Sequence, residues 1–520
     1  MAVDTRSLVQ GNAAQVQSLP APLGGWNARD SYANMDPMDA VTLENMFPTV
    51  SNVTLRGGYS KWATGLDGQV QSLFVYSGGA SNKAFAVTST SKLYDVTSSG
   101  AVGAAVLSSL GNGNWQYTNI TTSGGSYLYA TNGVNAPLLY DGTNWTAITG
   151  ISTPAITGVT TTSLINVLLF KNRIWFIEKN TLKAWYLPTS SIGGAAQYLD
   201  LSSVCRYGGY LVDFDTWTID GGFGIDDMLA FITSNGEVVV YRGTDPANAS
   251  TWSLTGIWKF GAPISSRAML KYGGDLLLLT YDGLLPMSQV MQSDRLDPRI
   301  ALSDKIQGAI AAATTEYGTT AVGWQIVYSP KNNAIMINVP IALGQQQQYV
   351  MNTITKSWCN FTGWNANCWD TFNDNLYFGG DGYVARAWDD TYADNGANIF
   401  TNTIQAFNYM GSRGVKKYFT RARPNIFTNG SPSIFVGANI DFNILNNSAP
   451  LTYTASIYGA WDSGKWDQSL WGGDLSITNN WLGITGIGYC IGLQVKTAST
   501  TLQVQWAATD LVYQTGWAGI

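Results

Sequence analysis

The chain has 520 residues, 45% of them apolar and only 12% charged, with a formal net charge of −6 and an isoelectric point near 4.8. That length suffices for several structural units, and so low a charge content implies a surface that is mostly uncharged and polar. With 56 Gly, 20 Trp and 27 Tyr, the composition excludes an all-helical protein and favours short strands joined by tight turns. Histidine is absent, which excludes Ser-His-Asp triads, Cys-His dyads and His-ligated zinc sites. The acidic balance argues against tight binding of nucleic acid or of anionic membrane. Cys205, Cys359, Cys368 and Cys490 contain no CxxC spacing and read as reduced core thiols. Apolar runs are of strand length, so no membrane-spanning segment is expected, and Met1–Arg6 lacks the pattern of a signal peptide.

In chain order, residues 1–66 form an N-terminal segment expected to dock on the body. Within it, Asp36-Pro37-Met38-Asp39 before Ala40–Met46 reads as a capped short helix that stops before Pro48. From 67 to 394 one unit recurs: an apolar strand, a Gly/Asn/Asp turn and a second strand ending in an aromatic or apolar residue. Its anchors are Phe85, Tyr127, Ile174, Leu229, Leu276, Ile335 and Leu376, at intervals of roughly 40–60 residues. That spacing predicts a mainly β chain whose body is a β-propeller of six or seven blades, the competing architecture being a β-sandwich or a stack of hairpins. Within the repeat, Asp141-Gly142-Thr143-Asn144-Trp145 partly matches the Asp-box turn of sialidase-like propellers, but Asp-Gly is also a common hairpin turn. Asp226, Asp227, Asp389 and Asp390 are candidate acids for a glycosidase pair, against which adjacent acids on a strand point to opposite faces.

Residues 395–520 read as an additional C-terminal β domain. Arg413, Lys416, Lys417, Arg421 and Arg423 concentrate positive charge in a chain poor in it. They are candidates for an inter-subunit or partner contact, for phosphate contacts, or for an ordinary solvated strand face. Trp461, Trp466 and Trp471 recur every five residues, which fits neither a strand face nor a helical stripe and suggests a looped segment pinned by Trp burial, with sugar stacking as the alternative.

The N-terminal block carries a further signal: Leu19 to Asp30 with Gly25, Trp26, Asn27, Arg29 and Asp30, then Asp36, Pro37 and Asp39, Phe47 and Pro48, and Arg56-Gly57. Together with Trp461–Gly472 and Gly486–Tyr489 near the other end, it resembles the tail nozzle, or tail hub, proteins of short-tailed, podovirus-type bacteriophages. The resemblance implies a structural virion protein made in the host bacterial cytoplasm, not an enzyme and without cofactor or metal. It implies a homo-hexamer below a tail adaptor ring, with tail fibres or spikes at its side and genomic DNA passing through without specific binding. A net negative chain suits such a conduit, because phosphates are repelled rather than held. The alternative from the residues themselves is a carbohydrate-binding or glycan-degrading propeller using paired carboxylates and Trp platforms.

Overall fold

The computed structural model describes residues 14–78, 81–220, 225–290, 298–318, 323–342, 344–389, 391–445 and 475–516. The chain divides into two units. One comprises 59–353 with 362–389, and the other 1–58, 354–361 and 390–520.

The first unit is a β-propeller. Seven antiparallel sheets follow one another among its described residues, with inner strands at Val70–Tyr76, Gln116–Thr122, Leu164–Phe170, Leu211–Asp220, Met269–Tyr272, Gln325–Ser329 and Cys368–Phe372. Tight turns make this possible. Lys171-Asn172 and Asn373-Asp374 are two-residue connections with positive φ at both positions, the geometry that matches the right-handed strand twist.

Each sheet buries an apolar face on the next. Phe74 and Phe85 meet Leu128 and Tyr140 between sheets 1 and 2, Tyr129 meets Phe176 between 2 and 3, and Trp175 packs with Phe231 and Trp252 between 3 and 4. Trp217 and Met228 pack on Leu276 and Leu285 between 4 and 5, and Tyr272 lies edge-on to Tyr328 between 5 and 6. The Gln325 side chain exchanges hydrogen bonds with the Trp369 backbone between 6 and 7. Val70, Leu73 and Ala86 then share a core with Cys368, Phe372 and Tyr377, which closes sheet 7 on sheet 1. Circular packing of this kind protects the outer strands' neighbours without needing a long hydrogen-bonded edge.

The second unit is a β-sandwich. Lys417–Thr428 pairs along its length with Val504–Thr515, and Gln15–Pro20 adds to the other side of the latter. The facing sheet contains Ser433–Ile440, Ile491–Ser499, Asn402–Gln405 and Asp39–Glu44. Leu19, Phe419, Leu511 and Tyr513 from the first sheet and Val436, Ile491 and Leu493 from the second form the core between them.

Two sequence expectations change here. The N-terminal segment and residues 395–520 are not separate parts: Gln15–Pro20 and Asp39–Glu44 are strands of the same sandwich as the C-terminal residues. The propeller unit accordingly begins at Tyr59 and its last segment ends at Asp389, rather than spanning 67–394. The expected helix over 40–46 is a strand over Asp39–Glu44, because Thr42 and Leu43 find partners in Ile404 and Thr403 and tertiary pairing overrides the capping signal. Asp36 instead closes a turn, its carboxylate accepting from Met38 N at 2.8 Å and its carbonyl from Asp39 N at 2.9 Å, with Pro37 at the position where a fixed φ suits it.

Candidate functional site

The narrow end of a propeller brings together residues that are remote in sequence, because each inner strand contributes to the same central space. Here that space is a cavity of about 200 Å³ lined by Trp115, Gln116, Tyr117, Asp213, Arg267, Gln325, Trp369 and Asp370, among others. Its polar groups bind the sheets to one another. Arg267 Nη2 donates to Ser72 Oγ at 2.7 Å and to the Trp115 carbonyl at 3.0 Å, tying the fifth sheet to the first and to the strand start of the second. Asp213 accepts from Asn166 Nδ2 and Phe214 N through Oδ1, and from Ala268 N and Met269 N through Oδ2. Tyr117 donates to Asp370 Oδ2 at 2.7 Å across the second and seventh sheets.

Burial dominates the electrostatics. It raises Asp213 to about 8 against its hydrogen bonds, with the nearby Asp215 charge adding to the rise. Asp215 and Asp370 are each pushed up to about 6, again mainly by burial, while the same desolvation lowers Arg267 from its usual value. For acids with raised folded-state values, the native state holds protons that the unfolded chain has already released above about pH 4, so stability falls as pH rises from about 4 towards 8. Carboxylates lowered in the fold, Asp227 and Asp510 among them, act in the opposite sense below about pH 4. Thermal unfolding at matched ionic strength should therefore give a higher midpoint near pH 5 than near pH 8.5, with a shallower slope in Asp370→Asn. A flat profile over that range would show the buried carboxyls to be fully compensated. These residues carry no motif, and the available signal in the sequence is modest: Asp213 and Asp215 interrupt the apolar strand Leu211-Val212-Asp213-Phe214-Asp215-Thr216-Trp217 in a charge-poor chain.

The acids singled out from sequence are placed otherwise. Asp227 binds Lys171 at 3.3 Å and Thr218 Oγ1 at 2.8 Å, and Asp389 binds Arg386 and Ser60 at 2.7 Å each. The side chain of Asp226, and Asp390 as a whole, lie outside the described residues. Asp141 caps its own hairpin, and the N–H groups of Asn144 and Thr143 hold its carboxyl below the usual value. All four cysteines are free, and burial pushes the Cys368 thiol up to about 12 and those of Cys205 and Cys490 up to about 11. They are poor nucleophiles. Among the described residues no group of three or more acids or cysteines is placed to hold a metal ion.

The five clustered cations separate into different roles. Lys417 is fully buried, its ammonium donating to the carbonyls of Ser412, Val415 and Tyr489 at 2.5–3.1 Å, so it is withdrawn from any contact surface. Arg423 is engaged by Asp510 at 2.7 Å. Arg413 and Lys416 lie over the rings of Tyr409 and Tyr489, and with Arg421 they stay exposed, as do Val415, Ile487 and Tyr489. Trp461–Gly472 lies outside the described residues.

The N-terminal block is a set of joints within the sandwich unit. Asn27 accepts from Arg29 N and Asp30 N through Oδ1 and donates to Asp30 and to buried Asp39 through Nδ2, while Arg29 forms a two-point pair with Asp30. Gly25, at φ +84°, pairs with Asp39 as Trp26 does with Ala40, and a Cβ there would lie 2.6 Å from the Trp358 carbonyl. Phe47 packs on Phe361, and Pro48 pairs with Val53. Arg56, 1% exposed, donates to Asn45 Oδ1, to the Gly57 carbonyl and at two points to Asp394 at 2.6 and 2.8 Å.

No protein-family model and no curated protein matches the chain. Among solved structures, it is similar to the extracellular domain of a hybrid two component system from B. thetaiotaomicron, at 14% identity and a TM-score of 0.39, over 64% of this chain and 41% of that one. It is also similar to BBS1N, solved in complex with ARL6DN, at 8% identity and a TM-score of 0.37, over 64% of this chain and 97% of that one. At these scores neither bears on function.

Proposed function

We propose that the protein is a structural virion component: a hexameric tail nozzle forming the distal DNA-ejection conduit and gate of a short-tailed phage, with a platform for tail fibres. The observation that carries this reading is the use made of the nozzle-like N-terminal block. Asn27, Asp39, Gly25 and Arg56 engage neighbours that hold strands in place, as expected of residues that shape an assembling part. The exposed cations Arg413, Lys416 and Arg421, with no ion pair among the described residues, and the exposed Val415, Ile487 and Tyr489 supply the charge and apolar area that a head-to-tail ring contact uses.

Electron microscopy of the purified protein, alone and with candidate adaptor rings, should show sixfold rings with an axial hole. The triple variant Arg413→Glu, Lys416→Glu and Arg421→Glu should remain folded by circular dichroism and fail to form rings. Normal rings from it would move the contact elsewhere, and a lone monomer from the unaltered protein under every condition would remove the nozzle reading.

A further inference from the structure

The polar groups around the propeller axis offer more than the ring needs for its own closure. Both bonds of Arg267 described above, and those to the Gln71 carbonyl and Asn114 Oδ1, leave from Nη2. Its Nε and Nη1 make no hydrogen bond to the described residues, although the side chain lines the cavity. Asp370 holds one donor on each oxygen, Tyr117 on Oδ2 and the Thr371 N–H on Oδ1, and a carboxylate has roughly four acceptor positions. Gln116 makes a single long bond, from Nε2 to the Ser266 carbonyl at 3.4 Å, which leaves its side-chain carbonyl open.

The tryptophans behind these groups are held in place by their own hydrogen bonds. Trp115 Nε1 donates to the Asn112 carbonyl and Trp369 Nε1 to Asn338 Oδ1. Both rings are themselves buried, Trp115 packed on Phe74 and Trp369 on Trp364 and Phe378, so they back the cavity as rigid walls and leave recognition to the polar groups. A volume of about 200 Å³ has room for roughly six or seven waters at ~30 Å³ each, the scale of one sugar ring.

We propose that this axial cavity binds a neutral, polyhydroxylated molecule of hexose size. Charge decides the class. One guanidinium faces one open carboxylate, while the acceptor positions of Asp213 are taken by four N–H groups, so neither a free anion nor a cation is favoured. A hydroxyl both donates and accepts, and adjacent hydroxyls serve Asp370 or Gln116 on one side and Arg267 on the other. The site is independent of ring assembly and involves no covalent step.

Titration of the full chain with D-glucose, D-galactose and D-mannose, followed by saturation-transfer NMR and calorimetry, tests this, with inorganic phosphate as the anionic probe. At least one hexose should bind with a millimolar or tighter constant, weakened about tenfold or more, ~1.4 kcal/mol, in Gln116→Leu and in Asp370→Asn. Circular dichroism and the unfolding midpoint confirm that each variant folds, and Arg267→Lys serves where one does not. No hexose binding up to tens of millimolar, binding unchanged in folded variants, or phosphate binding in place of hexose would each overturn the proposal.

Discussion

Arg56→Ala should lower the stability of the sandwich unit by about 3–5 kcal/mol, the loss typical when one partner of a buried ion pair is removed. The guanidinium is fully buried and meets Asp394 at two points, Asn45 through Nε and the Gly57 carbonyl through Nη1. Its removal leaves a carboxylate of which 12% is exposed without its counter-charge. The size of the loss is therefore set by the orphaned partner more than by the net worth of the pair. Arg56→Met combined with Asp394→Leu should recover much of it, since no charge is then stranded. Arg56→Lys should fall between, because a single ammonium does not reproduce the two-point geometry. Denaturant unfolding followed by a probe in the sandwich measures all three, and a loss below about 1 kcal/mol for Arg56→Ala would show that water reaches Asp394 and replaces the guanidinium.

Two neighbouring lysines should differ more than their sequence suggests. Lys417→Met is expected to cost about 2–4 kcal/mol, because the carbonyls of Ser412, Val415 and Tyr489 converge on one buried ammonium and lose their donor together. Burial depresses the ammonium from its usual value, against the opposing influence of nearby Cys490 and Asp441. Lys416→Met removes an exposed cation over the Tyr489 ring and should stay within about 0.5 kcal/mol. Equal losses at the two positions would contradict the separation of one structural cation from one surface cation. The measurement is chemical unfolding of both variants under identical salt.

Strand period, turn chemistry and spacing made the propeller legible along the chain, because each sheet is built from consecutive residues such as Ile174–Ile177 and Ala184–Tyr186. The sandwich was half legible. Its C-terminal strands alternate, but nothing local tells Gln15–Pro20 that its partner is Tyr513 to Ala508. For the same reason Ala40–Glu44 reads as a capped helix until its partners across Asn402–Gln405 are known. The axial residues were illegible for a third reason: Arg267 and Asp213 acquire their environment from strands on other sheets, and a lone charge in a strand has no spacing to betray it. The cation cluster was found but not sorted, since sequence density does not distinguish Lys417, turned inward, from Lys416.

The division of the chain also orders its biosynthesis. Residues 59–353 and 362–389 form one unit, while the strand at Gln15–Pro20 pairs with Val504–Thr515. At synthesis rates of about 5–20 residues per second, the first of these strands leaves the ribosome on the order of 25–100 s before its partner. The propeller can close during that interval while the sandwich cannot. The exposed cations Arg413, Lys416 and Arg421 sit on the later unit, so a chain cut short before them displays the propeller residues without those cations. The sandwich strands thus come together only once the chain is nearly complete, an order of assembly written into the order of the strands.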